Sequence, residues 1–186
     1  KYKSRQSRRD RYVRRLILKG DEKKMAIVFH KESRCFHLYN AEVSYIIRIM
    51  ENEQLEQLYY GKRIHDREDF TYLHEECMRS QMSVCVPEPG ILSMQYTKQE
   101  FPTYGTGDYR SPALTIAQEN GSRIVNFTYA FHEIYNGKKN ILPLPATYVE
   151  SGDEAQTLEI TLHDAVMDTD LILSYTIYEE YPVITI

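Results

Sequence analysis

The sequence has no tryptophan, only three cysteines among 186 residues, and no long apolar run. Cys35, Cys77 and Cys85 are odd in number and irregularly spaced, which makes a poor disulfide framework. Reduced thiols in a cytoplasmic protein are the simpler expectation, and the sequons at Asn120 and Asn126 then carry no glycan. No stretch approaches the ~20 apolar residues that cross a bilayer, and Leu16-Ile17-Leu18 is shorter than the roughly 7-residue minimum of a signal-peptide core. No membrane partner is expected. Nucleophile elbows, His-Glu-x-x-His, P-loops and Gly-x-Gly-x-x-Gly are also missing. The six histidines are scattered without zinc-ligand spacing, so neither a metal nor a cofactor is expected.

Charge is unevenly spread. Residues 1–24 carry eleven Lys/Arg against three Asp/Glu, and the rest of the chain carries twelve against twenty-four. A basic arm therefore precedes an acidic body, which disfavours broad contact with nucleic acid. The domain reading is an arm over 1–24 and one β-domain over 25–186. Lys19-Gly20-Asp21 permits the coding string AAAGGAGAU, which resembles a bacterial ribosome-binding site just before Met25. The arm is accordingly expected to be a disordered or non-native leader. A native first peptide containing Arg8 to Arg15 would refute that expectation.

What fills the body is β pattern. Met25–His30 and Cys35–Tyr39 are short apolar runs around a polar turn, a hairpin signal. Val43, Tyr45, Ile47 and Ile49 alternate with Ser44, Arg48 and Met50, which predicts a strand with one buried face. Gln54–Tyr60 is a further strand, closed by Gly61. In His65–Gln81, Phe70, Leu73, Cys77 and Met78 sit at helical spacing, but the charge there suits an ordered loop equally well. Ile91–Thr97 reads as a strand. Ala113–Glu119 and Ser122–His132 flank Asn120-Gly121, the strongest short hairpin signal. Asn136-Gly137 marks a turn, and Ile141–Pro145 an extended link. Leu158, Ile160 and Leu162 alternate with polar residues, as do Leu171, Leu173, Tyr175 and Ile177, and Val183–Ile186 looks like the start of one more strand. Many short strands with little helix predict an all-β sandwich. The apolar ending is read as the edge of a truncated piece.

The adjacent acidic pairs Glu68-Asp69, Glu75-Glu76 and Glu179-Glu180 are poor glycosidase acid/base candidates. Neighbours on a strand point to opposite faces, whereas such a pair must face one sugar. No catalytic residue is assigned. The sixteen tyrosines suit sugar stacking, but they suit half-buried strands equally well.

Longer strings are more specific. Gln99-Glu100-Phe101-Pro102-Thr103-Tyr104-Gly105-Thr106-Gly107-Asp108-Tyr109-Arg110-Ser111-Pro112-Ala113 resembles a hallmark stretch of bacterial α-galactosidases of glycoside hydrolase family 36. Leu144 to Glu150, Glu154 to Ile160, Tyr60 to Ile64 and Tyr175 to Glu179 fit the same family in the same order. The resemblance runs from Met25 to Ile186. It implies the N-terminal β-supersandwich, of galactose-mutarotase-like class, placed before a catalytic (β/α)₈ barrel. The family cleaves terminal α-galactosides of the melibiose and raffinose type with retention. Both of its catalytic aspartates lie in the barrel, the nucleophile in a Lys-Trp-Asp-type stretch that this sequence lacks.

The resemblance further implies partners: the α-galactoside through the parent enzyme, the enzyme's own barrel, and sister subunits in a homo-oligomer, a tetramer in the full-length enzyme. In the family this domain packs on the barrel and sends a loop to the sugar pocket's rim. The segment Asp66–Arg79 is the candidate loop, with Asp69 and Arg79 bonding sugar hydroxyls and Phe70 stacking. Some relatives carry an acidic residue just before that arginine, where this chain has Met78. The competing reading of the segment is a structural or interface loop. For the chain as a whole the alternative is an autonomous carbohydrate-binding module.

Overall fold

The computed structural model describes residues 25–75, 94, 96–105, 107–140, 143, 145 and 147–186. The basic arm, Cys77, Cys85 and Arg79 lie outside the described residues, as does most of the expected strand at Ile91–Thr97 and much of the link at Ile141–Pro145.

Two four-stranded antiparallel sheets make up the fold. The first is a meander of β1 (Ala26–His30), β2 (Cys35–Tyr39), β3 (Val43–Ile49) and β4 (Leu55–Lys62). The second is a meander of β5 (Thr128–Asn136), β6 (Ala155–Asp164), β7 (Thr169–Tyr178) and β8 (Ile184–Thr185). β-branched and aromatic residues dominate these segments because they pack well on a pleated surface. The inward residues meet in one core. Ile27, Phe36, Leu38, Tyr45, Ile47, Ile49 and Leu55 come from the first sheet, and Leu158, Ile160, Leu162, Leu173, Tyr175 and Ile177 from the second. Facing sheets with interdigitated inner side chains are a sandwich, as the alternation predicts. The Ile27 amide donates to Gln156 Oε1 at 2.6 Å, a polar tie from β1 to β6.

Turn chemistry sets the register. Asn40 accepts from the Glu42 and Val43 amides at 2.8 and 2.9 Å, which tightens the β2–β3 turn. Its amide nitrogen reaches the carbonyls of Tyr178 and Tyr181, both at 2.8 Å, so the same residue joins the sheets at that end. Asp164 does similar work after β6. Its Oδ1 accepts from the Val166 and Met167 amides, and its Oδ2 accepts from the Asn126 amide at 2.6 Å.

Two expectations need correction, and the choice left open between helix and loop in His65–Gln81 is answered for the described residues. The Asn120-Gly121 turn exists, with Gly121 at φ 82° and the Gln118 amide bonded to the Ser122 carbonyl at 2.9 Å. Its flanks are not strands, however, and β5 begins only at Thr128. The flanking backbone is bonded elsewhere: Ala113 N–H to the Pro102 carbonyl, Val125 N–H to the Tyr104 carbonyl, and Asn126 N–H to Asp164. The helical spacing in His65–Gln81 yields only a single 3₁₀ turn at Thr71–Leu73 among the described residues. Finally, the first sheet is buried on both faces. Every residue of β2 is buried, and Ser44 and Ile46 of β3 are wholly buried although they point away from the core. Residues 63–75 cover that outer face.

Candidate functional site

The outward residues of the first sheet form a polar layer. β1 contributes His30, β2 contributes Cys35 and His37, β3 contributes Ser44, Ile46 and Arg48, and β4 contributes Glu56 and Leu58. The segment 63–75 lies over them like a strap and is tied down at several points.

Near its start, Asp66 Oδ1 sits 2.8 Å from His30 Nε2 and 2.7 Å from His37 Nδ1. On its other side the His37 ring meets Ser44 Oγ through Nε2 at 2.9 Å. Ser44 Oγ also accepts the Ile64 amide proton at 3.0 Å. The ionised Asp66 can only accept, so His37 carries a hydrogen on Nδ1 and donates it there, and the neutral ring accepts the Ser44 hydroxyl proton at Nε2. Burial holds the His37 pKa below the ordinary imidazole range, against the pull of Asp66. Burial pushes the Asp66 carboxyl upward, but the hydrogen bonds from His37 and His30 outweigh it and hold the carboxyl below its usual range. The order Asp66–His37–Ser44 has the connectivity of a hydrolytic triad. It cannot act as one, because Ser44 is 0% exposed and its oxygen is already engaged by a backbone amide.

In the middle of the strap, Phe70 is 0% exposed and packs with Cys35, Ile46 and Leu58. Its ring lies 4.9 Å from that of His37, edge-on, and 5.8 Å from that of His30. At the far end, His74 Nδ1 is 2.5 Å from Glu56 Oε1, and Arg48 donates to Glu56 Oε2 at 2.5 Å. Glu56 is 2% exposed, so this carboxylate is buried with two basic partners. Arg48 Nε is the one buried side-chain polar atom without a partner among the described residues.

Between these ties, Arg67, Glu68, Asp69, Thr71 and Tyr72 face outward. Asp69 Oδ1 accepts the Thr71 amide proton at 2.7 Å, and that bond lowers the Asp69 pKa. The two described candidate sugar contacts therefore differ sharply. Asp69 is exposed on the strap, whereas the Phe70 ring has its surroundings filled by protein and no face open to a sugar. Among the described residues no group of three or more His, Cys, Asp or Glu is arranged to hold a metal.

His30, His37, Glu56 and His74 carry this layer, and sequence reasoning did not single them out. One signal was available. In the β1–β2 hairpin His30 pairs with Cys35, so His37, two residues further on, is its diagonal neighbour on the same face.

The long string from Gln99 to Ala113 ties the fold together. Glu100 Oε1 accepts the hydroxyls of Tyr45 on β3 and Tyr175 on β7, at 2.7 and 2.8 Å, bridging the two sheets. Burial pushes the Glu100 carboxyl up despite these donors, and burial beside that carboxylate pushes both phenols up. Asp108, 2% exposed, accepts from Arg110 Nε at 2.9 Å and Nη2 at 2.7 Å, and from Gln99 at 2.6 Å. Arg110 also caps the carbonyls of Met94 and Thr97. Gly105 has φ 110°, and a Cβ there would meet Ile124 at 2.5 Å, so only glycine fits.

A cleft of about 370 Å³ lies at the other end of the second sheet, where Tyr148, Glu150 and Tyr181 stand around Glu154 and Tyr178. Glu154 is engaged by the Glu150 amide and the Ser151 hydroxyl.

Comparison with known proteins gives this arrangement a family. The model of the "Glycosyl hydrolase family 36 N-terminal domain" matches residues 53–186. The α-galactosidase AgaA of Geobacillus stearothermophilus is 35% identical over 161 residues, which are 87% of this chain and 22% of that protein. The α-galactosidase Mel36A of Lactobacillus acidophilus is 31% identical, covering 85% of this chain and 22% of that protein. Among solved structures, the GH36 α-galactosidase AgaB of G. stearothermophilus superposes with a TM-score of 0.77 at 36% identity, over 86% of this chain and 21% of that one. A variant of AgaA solved in complex with raffinose superposes at 0.74 with 37% identity, over 81% and 21%. The chain thus spans about a fifth of the length of the relatives it matches. With its paired antiparallel sheets and a family match covering most of its length, the chain belongs to the glycoside hydrolase family 36 N-terminal domains.

Proposed function

We propose that this chain is the non-catalytic N-terminal β-sandwich of an α-galactosidase that hydrolyses terminal α-galactosides of the melibiose and raffinose type. The observation that carries the reading is the family match, joined to the inaccessibility of the triad-like arrangement at Asp66, His37 and Ser44, in which Ser44 is fully buried. The domain supports a catalytic barrel, contributes to homo-oligomer contacts, and lends the strap to the rim of the sugar pocket. Asp69 and Arg79 are the rim residues in this reading. Phe70 serves them from beneath as the strap's anchor. The parent enzyme works in the cytoplasm.

The test is hydrolysis of an aryl α-galactoside by the purified chain and by the chain extended through its natural continuation. Only the extended protein is expected to turn over substrate. Turnover by the chain alone would overturn the reading.

A second reading, an autonomous carbohydrate-binding module, draws on the cleft of tyrosines and glutamates at Tyr148 and Tyr181. Aromatic faces beside carboxylate acceptors suit a sugar. Calorimetry with melibiose separates the two readings: heat at millimolar ligand that disappears in Tyr148→Ala supports the module, and its absence leaves the non-catalytic domain.

A further inference from the structure

We propose that Asp66 is a positioning residue for galactoside binding: by taking hydrogen bonds from His30 and His37 it holds the strap so that Asp69 stands at the pocket's rim. This inference rests on the reading of the strap as a rim element.

The argument begins with how a chain segment without regular structure is kept in place. Among the described residues the strap has one turn of 3₁₀ helix, at Thr71–Leu73, and no strand. Its geometry therefore depends on side-chain ties. At its entry the Arg63 amide donates to the Glu42 carbonyl at 2.7 Å, and the Ile64 amide donates to Ser44. At its exit His74 is held by the buried Glu56. Between them, Phe70 supplies apolar burial, which is strong but does not fix direction. Asp66 is the strongest charged, directional tie beside the exposed stretch 67–69, since it meets two buried imidazoles at 2.8 and 2.7 Å. Within the stretch Glu68 adds weaker holds: its exposed carboxylate lies 3.5 Å from His30 Nδ1, and its carbonyl accepts from Ser33 Oγ at 2.7 Å.

Two imidazoles converge on one oxygen of Asp66 from adjacent strands, so the oxygen's position is set by the sheet rather than by the strap. His37 is itself oriented by Ser44, and Ser44 by Ile64. The chain of bonds runs from strap to sheet and back to strap, so each end fixes the other. Hydrogen bonds to an ionised acceptor are the stronger kind, and misplacing a binding group by about 1 Å can cost large factors in rate or affinity. Asp69 lies three residues beyond this tie, with its carboxylate outside and its Oδ1 on the Thr71 amide. Releasing Asp66 frees the stretch that carries it, while Phe70 and His74 keep the rest of the strap down.

The experiment uses the full-length enzyme with raffinose and with an aryl α-galactoside. Asp66→Ala, Asp69→Ala and the double variant are compared by kcat, KM and thermal midpoint. Expected are a rise of KM of about ten-fold in each single variant with kcat within about two-fold, the pattern of lost binding that is equal in ground and transition state. The double variant should be no worse than the poorer single one, because both changes remove the same contact. If Asp69→Ala leaves KM unchanged, the rim reading falls and this inference falls with it. If Asp69→Ala raises KM and Asp66→Ala does not, the positioning role alone is overturned, whatever happens to the melting point. Full multiplication of the two effects would also overturn it. Should Asp66→Ala fail to fold, Asp66→Asn, which keeps the shape, goes through the same cycle with the same criteria.

Discussion

The two sheets share a four-stranded antiparallel topology but differ on their outer faces. The first sheet is covered, and its outward residues His37, Ser44, Ile46 and Glu56 are each 2% exposed or less. The second sheet is open over part of that face, although Thr157 and Thr176 there are 0% and 1% exposed. Phe131 of β5 and Ile172 of β7 stand 53% and 60% exposed, on either side of Thr161 of β6. The covered face buries ionisable groups and must satisfy each of them, because an unpaired buried charge is expensive. Burying a face in this way turns a stretch of irregular chain into a fixed surface. The open face keeps apolar groups in water, where scattered exposure is ordinary.

The largest test of this contrast compares two apolar deletions. Phe70→Ala removes a fully buried ring from beneath the strap and should cost about 3–5 kcal/mol of unfolding free energy. Ile172→Ala, on the open face, should stay within about 0.5 kcal/mol. Urea unfolding of both variants measures the difference. Comparable costs would mean that the strap is not part of the cooperative fold.

Arg110→Ala comes next. Asp108 is 1% exposed at its side chain and depends on this arginine for bonds from Nε and Nη2. Removal leaves a buried carboxylate with the Gln99 amide as its side-chain donor, and takes one of two donors from each of the carbonyls of Met94 and Thr97, which keep Gln99. A loss of about 2 kcal/mol is expected, in the range for hydrogen bonds to a charged group, read from the same denaturation curves. Lys139→Ala is the surface counterpart. Its bond to Glu159, at 2.8 Å, joins an ammonium 62% exposed to a carboxylate on the open face. The change should cost less than Arg110→Ala, because the ammonium is solvated and Glu159, 17% exposed, keeps the Tyr135 hydroxyl.

This contrast also separates what was legible in the sequence from what was not. β3 could be read because Tyr45, Ile47 and Ile49 repeat at the period of the pleat, and β6 and β7 because Leu158 to Leu162 and Leu171 to Ile177 do the same. That signal is local and survives without knowledge of the partner. The strap has no such period. Its ties are single side chains that meet residues far away in sequence, 36 positions from Asp66 to His30 and 18 from His74 to Glu56. The helical spacing of Phe70 and Leu73 was real but marked two residues of one apolar plug, not a helix face. Phe70 read as a stacking ring for the same reason: nothing local to it discloses that His37 and Cys35 lie beneath. Asn120-Gly121 was legible as a turn, yet its flanks give their backbone bonds to Pro102, Tyr104 and Asp164, which no local pattern records.

An effect smaller than the arginine's, and of opposite sign, belongs to the carboxylate between the sheets. Glu100 is held by Tyr45 and Tyr175, one hydroxyl from each sheet, and burial raises its pKa above the ordinary glutamate range. A carboxyl raised on folding binds its proton more tightly in the native state. Its stabilising contribution is therefore complete below the unfolded value of about 4.3 and declines as pH rises through the raised native value. Above that range the native state holds a charge it would rather not bury. Glu100→Gln removes the charge but keeps an oxygen for one tyrosine and an N–H for the other. The variant should gain about 1 kcal/mol over the parent at neutral pH, the net worth of one hydrogen bond, and lose that advantage near pH 4. Unfolding curves of the two proteins at pH 4 and pH 7 make the comparison. An advantage that grows toward low pH would reverse the sign, and would mean that the two tyrosines stabilise the charged form more than burial penalises it.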